Sequence, residues 1–246
     1  MQKLLTIIFL ILFYFWTVFL GLICIPFLTF PYQTVMALGR VWIHGVFFLL
    51  RSIVGIKHKV IGSHLVPNGP VIFAVKHQSE WDTLAVNLLI KDPAIILKKE
   101  LLNIPLFGWY LKRSGHIAID RKGGSKTLKS MLLQSSVSIK AARSIVIFPE
   151  GTRTQPGQKG VYHPGIIALY EKEGLAVVPI ALNSGLFWSR NPFTKYRGTI
   201  TFQFLPAISP GLDRREFIEN LESSVENASE LLYKNAREEF FSKKCL

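Results

Sequence analysis

Two kinds of apolar patterning divide the chain. From Leu4 to Pro31 (LLTIIFLILFYFWTVFLGLICIPFLTFP) no position is charged, and about 20 such residues in a helix cover the hydrocarbon core of a bilayer. The run is too long for the apolar region of a cleaved signal peptide and lacks an Ala-x-Ala-like site, so a retained membrane segment is expected. Between Val35 and Ile56 the pattern changes: Trp42, Val46, Leu49, Leu50 and Ile53 recur as one helical stripe. Arg40, His44 and Arg51 gather on a face only about 40° wide. A helix packed on a globular domain with its charges in water has this pattern too. The preceding membrane segment favours a helix lying at the membrane interface.

From Gly62 onward, short apolar runs alternate with helical patterns. Strands are expected at 71–75, 94–97, 116–119, 144–148, 176–182 and 199–205, with helices near 80–90, 100–112, 124–142 and 164–173. A long amphipathic helix is expected over 213–241, with Phe217, Leu221, Val225, Ala228, Leu232, Ala236 and Phe240 along one side. The alternation predicts an α/β fold, a sheet flanked by helices. The expected division is a membrane-associated helical segment over 1–56 and an α/β domain over 57–246.

Composition narrows the partners. The 246 residues are 49% hydrophobic and carry a net charge of +13, from 29 Lys and Arg against 16 Asp and Glu. A pI near 9.8 suits nucleic acid, anionic headgroups or phosphorylated ligands. No nucleic-acid-binding signature accompanies the basic residues, so an anionic membrane surface is the expected partner. Cys24 and Cys245 make neither a disulfide framework nor a zinc site and read as free thiols in a reducing compartment.

The candidate chemistry begins in FAVKHQSEWDTLAV, where His77 and Asp82 lie five positions apart. On a regular helix they would diverge by roughly 140°, and on a strand they would face opposite sides. They meet only if the backbone turns between them. The strand VIFAV followed by Ser79–Glu80, suited to a helix start, supplies that turn. A carboxylate on one imidazole nitrogen fixes the tautomer and leaves the other nitrogen to take a proton from a hydroxyl. An incidental histidine beside a capped helix is the plain alternative for the pair alone. Further on, FPEGTR at 148–153 follows the strand SIVIF; such a loop exposes backbone N–H groups, and Arg153 adds a fork that suits a phosphate.

Four blocks in order, HQSEWD (77–82), KKELLNIPLFGW through GHIAIDR (98–121), FPEGTR (148–153) and VPI (178–180), resemble the glycerolipid acyltransferases typified by 1-acyl-sn-glycerol-3-phosphate acyltransferase. The resemblance covers about residues 60–210. It implies a mixed sheet flanked by helices with membrane-associated N-terminal helices, and gives His77 the role of catalytic base with Asp82 orienting it. It also implies acceptor binding by Glu150, Gly151, Thr152 and Arg153, with Lys98 and Arg121 as further phosphate contacts and Pro179 in a block tied to donor and acceptor binding. Lys76 departs from the pattern, because many relatives have Asn before the histidine. A cation there either disfavours imidazolium or binds phosphates of the acyl donor.

The implied reaction carries an acyl group from acyl-CoA or acyl-carrier protein to the sn-2 hydroxyl of lysophosphatidate, giving phosphatidic acid. It calls for no cofactor and no metal, and it belongs at the cytoplasmic face of a membrane, the plasma membrane if the source is bacterial. Another lysolipid acceptor is the alternative within the family. A lipid hydrolase would want a nucleophile elbow, and Gly-x-Ser-x-Gly is absent. A non-catalytic reader of anionic membranes leaves the four blocks unexplained.

Overall fold

A computed structural model describes residues 2–121 and 123–242, with side chains through Glu238. Cys245 and the ring of Phe240 lie outside the described residues; Cys24 is free and buried. Helix α1 (Gln2–Ile23) ends where Pro26 and Pro31 interrupt the apolar run, in a short 3-10 turn over Ile25–Thr29. Helix α2 (Tyr32–Leu49) runs back along it and closes in a π turn over Leu50–Val54. The crossing is close because position 45 is glycine: a Cβ there would fall 2.3 Å from Trp16 Nε1. Trp16 donates to Trp42 O and Trp42 to Thr17 Oγ1, each at 3.0 Å.

Seven strands follow among the described residues: β1 (Ile56–Ile61), β2 (Ile72–Val75), β3 (Ala94–Lys98), β4 (Ile117–Ile119), β5 (Ile145–Ile147), β6 (Val177–Leu182) and β7 (Gly198–Phe204). They form one sheet in the order β1-β7-β6-β2-β5-β3-β4. Of these strands only β6 and β7 pair antiparallel; every other neighbour is parallel. Helices α3 (Glu80–Leu89), α4 (Phe107–Arg113), α5 (Gly124–Lys140), α6 (Gly165–Glu173) and α7 (Arg214–Ser242) cover it.

The pleat sends alternate side chains to two cores, so the inner strands read as continuous apolar runs. Phe73, Val75, Val146 and Val178 join Phe9, Val46, Phe47 and Leu50 of the hairpin and Trp81 of α3 on one face. Ile72, Ala74, Ile145 and Val177 meet Met131, Ile166, Leu169, Phe217 and Leu221 of α5, α6 and α7 on the other.

Three expectations change. The apolar face of α2 packs on the sheet, with Ile43, Val46, Phe47 and Leu50 buried, so this helix does not offer that face to an interface. Most of the exposed large apolar residues of the hairpin belong to α1 and the turn after it, among them Ile11, Phe15, Val18, Phe19, Leu22 and Phe27, while α2 exposes Val41 and Phe48 on its far side. Residues 100–112 are not one helix. A 3-10 turn over Lys99–Asn103 and α4 are separated by Pro105, and Leu106 takes φ +65°. Finally, Ile56 starts strand β1, which the sequence pattern did not single out.

Candidate active site

Parallel strands bring their carboxyl ends to one edge of the sheet, and the HQSEWD and FPEGTR blocks follow two such ends, those of β2 and β5. Strand β2 lies at the centre, between β6 and β5, and the chain leaves it at Lys76 and His77. Helix α3 then starts with a capping box between Ser79 and Asp82, so the chain turns where the two side chains need it to. His77 Nδ1 lies 3.0 Å from Asp82 Oδ2.

The carboxylate of Asp82 is fully buried, and five donors replace its lost water. Oδ2 takes the Nδ1–H of His77 and the backbone N–H groups of Gln78 (2.6 Å) and Ser79 (2.8 Å). Oδ1 takes the hydroxyls of Ser79 and Ser184. With Asp82 holding the Nδ1 proton, the basic lone pair sits on Nε2, which takes no hydrogen bond among the described residues. The ring of Phe148 lies 4.3 Å from that of His77 and fixes its plane. The imidazole keeps 15% of its side chain exposed, enough for a reactant to reach it. Ser184, which follows β6, is a functional residue the sequence reading missed. It sits 102 positions from Asp82 with no motif of its own.

The loop after β5 supports the histidine from behind. Glu150 is buried; its Oε2 accepts the His77 N–H at 2.8 Å, and its Oε1 lies 2.6 Å from Lys76 Nζ. Thr154 donates its N–H (2.7 Å) and its hydroxyl (3.1 Å) to His77 O. Burial pushes the Glu150 carboxyl up from its ordinary value, and Lys76 pulls against that. Glu150, expected among the acceptor-binding residues, therefore faces inward, with both oxygens committed to the loop. Lys76 is enclosed as well, which disfavours contact with donor phosphates, one of the two readings the sequence left open for it.

The remaining candidates divide. Gly151 takes φ +63°, a conformation that favours glycine, and its carbonyl accepts from Arg121 Nη1. Thr152 is exposed, and Arg153 pairs with Glu80 beside the histidine. Arg121 and Gly151 line a cavity of about 400 Å³ that also touches Phe148, Thr127 and His163. Lys98 is exposed at the end of β3, 3.3 Å from Glu100. Pro179 is inside the sheet, where it pairs with Ala74 of β2 and its carbonyl accepts from Leu205 N at 3.0 Å. The reciprocal bond is missing because proline has no N–H, which is tolerable where β7 leaves the ladder. Pro179 is not among the residues that line the cavity.

Residues 57–183, just over half of the chain and the stretch that holds all nine candidate residues, match the model of a family described as Acyltransferase. The chain belongs to the acyltransferase family. It is 38% identical over 167 residues to a 1-acyl-sn-glycerol-3-phosphate acyltransferase of Pseudomonas aeruginosa, covering 68% of this chain and 65% of that one. A protein of the same name from Limnanthes douglasii is 30% identical over 191 residues, covering 77% of this chain and 67% of the relative. The chain thus spans about two thirds of the length of these acyltransferases. Its fold is similar to the crystal structure of the 1-acyl-sn-glycerophosphate acyltransferase of Thermotoga maritima, with TM-score 0.76 and 21% identity over 94% of this chain and 98% of that one.

Proposed function

We propose that the protein is a 1-acylglycerol-3-phosphate O-acyltransferase, moving a fatty acyl group from acyl-CoA or acyl-carrier protein to the sn-2 hydroxyl of lysophosphatidate. The observation that carries this reading is the open Nε2 of His77 opposite a buried Asp82. The hydroxyls of Ser79 and Ser184 both turn to the carboxylate and away from Nε2, which favours direct attack over an acyl-enzyme and argues against a serine hydrolase.

The acceptor hydroxyl gives its proton to His77 Nε2 as its oxygen bonds to the thioester carbonyl carbon. Asp82 stabilises the imidazolium that forms. The tetrahedral intermediate collapses, the carbon–sulfur bond breaks, and the thiolate takes the proton from His77. The acyl group leaves as an ester, and the enzyme returns to its starting state with no cofactor consumed.

Arg153 and Arg121 are the acceptor's phosphate contacts in this reading. An arriving phosphate takes the Arg153 guanidinium from Glu80, a partly exposed partner whose loss costs little. A charge-assisted contact of this kind contributes about 1.5–3 kcal/mol. Both the acceptor and the product live in a bilayer. The hairpin fits that setting, since α1 and the α2 segment are long and apolar enough to cross a membrane and α1 exposes an apolar surface. A soluble acyl donor puts the catalytic domain at the cytoplasmic face.

Purified protein in detergent, given a panel of lysolipids and both donor types, tests the reading through the mass of the product. Phosphatidic acid formed from lysophosphatidate is the expected result. Preference for another lysolipid moves the acceptor assignment, and release of free fatty acid alone overturns acyl transfer.

A further inference from the structure

Behind the reacting pair lies a buried charged cluster that the steps above do not use. Lys76 Nζ lies 2.6 Å from Glu150 Oε1, 2.8 Å from both carboxylate oxygens of Glu226 on α7, and 3.3 Å from the carbonyl of Gln158. Lys76 is 1% exposed and Glu226 7%. The hydroxyl of Tyr162 donates to Glu226 Oε1 at 3.2 Å. Bare backbone closes the remaining side: a Cβ at Gly160 would fall 2.5 Å from Glu150 Oε1. Followed outward, the contacts form one line from α7 through Glu226, Lys76 and Glu150 to the His77 N–H.

We infer that Lys76 and Glu226 are positioning residues for acyl transfer: they hold Glu150 as a carboxylate under the His77 N–H, so that the C-terminal helix fixes the place of the base. The inference rests on the acyl-transfer reading for its kinetic arm. Its physical basis is the donor set around Glu150. Lys76 and the His77 N–H face that carboxylate as donors, and the single proton of the Thr154 hydroxyl is shared between Glu150 Oε1 and His77 O, each at 3.1 Å. A proton on Glu150 would sit among donors and weaken the bond to the histidine backbone.

The groups around it come from several elements: Lys76 from the end of β2, the His77 N–H and Thr154 from the loops, and Glu226 on α7, to which Tyr162 donates. Burial and Glu226 push Glu150 up, and Lys76 is the cation that opposes them. Removing Lys76 leaves two carboxylates in one enclosed space, where one takes a proton. Removing Glu226 leaves Lys76 with Glu150 alone, which keeps Glu150 ionised but unties α7.

The test compares Lys76→Met, Glu226→Gln and the double variant in the full chain in detergent, over a pH series, with lysophosphatidate and acyl-CoA. Lys76→Met should lower kcat roughly 10- to 100-fold, the loss typical of a base displaced by about 1 Å. KM for both substrates should stay within about twofold, and the acidic limb of kcat should move up by about one pH unit. The double variant should be several-fold faster than Lys76→Met, because the neutral amide that Glu226→Gln introduces does not repel Glu150. A merely structural pair would give multiplied losses and an unmoved limb, and that result overturns the inference. Should Lys76→Met not fold, Glu226→Gln decides, with kcat equal to wild type as the overturning result. The His77 Nδ1–H resonance, assigned by its loss in His77→Ala, supplies a readout without substrate. It should shift or broaden in Lys76→Met or, where that variant does not fold, in Glu226→Gln, and an unchanged signal overturns the inference. If wild type acylates no lysolipid, the acyl-transfer reading falls and this resonance still decides the network.

Discussion

His77 and His116 stand in neighbouring motif blocks, and the fold treats them in opposite ways. His77 follows the carboxyl end of the central strand, has a buried carboxylate on Nδ1, and keeps Nε2 open. His116 precedes the short strand β4, where its Nδ1 accepts the Ile95 N–H at 3.3 Å and no carboxylate among the described residues is paired with it. Burial, helped by the Arg143 guanidinium, pushes His116 down to about 3, so it remains a neutral ring. A histidine in a motif therefore says little by itself. Its end of the strand and the partner across the turn decide whether it can carry a proton.

The comparison breaks most sharply at His77. His77→Ala should lower kcat on the order of 10²–10⁴-fold while leaving the thermal midpoint close to wild type, since the side chain is partly open. Turnover assays and a thermal melt on the same preparation check both halves. Asp82→Asn comes next. The amide places a donor or a neutral acceptor against Nδ1 and cannot stabilise imidazolium, so kcat should fall at least about 100-fold. Its stability should fall as well, because the backbone N–H groups of Gln78 and Ser79 lose a charged acceptor. A variant with normal turnover would end the assignment of Asp82 as the orienting group.

The third outcome concerns stability alone. An unfolded His116 titrates near 6.5, well above its folded value of about 3. Lowering the pH through 6.5 therefore loads a proton on the unfolded chain that the folded state refuses, and stability is lost progressively toward pH 3. Between pH 6.5 and 5 the loss from this group is roughly 1.5 kcal/mol. Chemical denaturation at several pH values should show that slope, and His116→Asn should flatten it, since its amide keeps an acceptor for Ile95 without titrating. The smallest effect is the fourth: His116→Asn should retain kcat within about threefold of wild type at neutral pH. A loss comparable to that of His77→Ala would collapse the distinction between the two rings.

Much of this was legible in the residues, for identifiable reasons. Six strands and the long C-terminal helix follow from apolar runs bounded by polar turns, and both cores follow from the pleat. The meeting of His77 with Asp82 was readable because the turn between them is local. What escaped depends on distance along the chain or on weak pattern. Strand β1 buries only Ile56 and exposes Lys57, His58 and Lys59, as an edge strand does to discourage pairing with other chains, so it has no apolar period to detect. Ser184 reaches Asp82 across 102 positions and Glu226 reaches Lys76 across 150, and neither contact leaves a local mark. The stripe on α2 was visible, but periodicity cannot say whether a lipid or a sheet covers it.

The pairing of β1 with β7 has a consequence for the order in which the molecule is made. The strand that follows the hairpin finds its neighbour in the sheet only at Gly198–Gln203, 142 residues after its own first residue, Ile56. At roughly 5–20 residues per second of synthesis, that is an interval of about 7–28 s. The first two helices emerge early and their seat is finished last. Until β7 is made, Phe9, Val46, Phe47 and Leu50 share a core that already includes Phe73, Val75 and Trp81 but still lacks Phe202 and Phe204. A ribosome making this chain thus presents an apolar hairpin whose seat stays incomplete until its most distant strand has emerged.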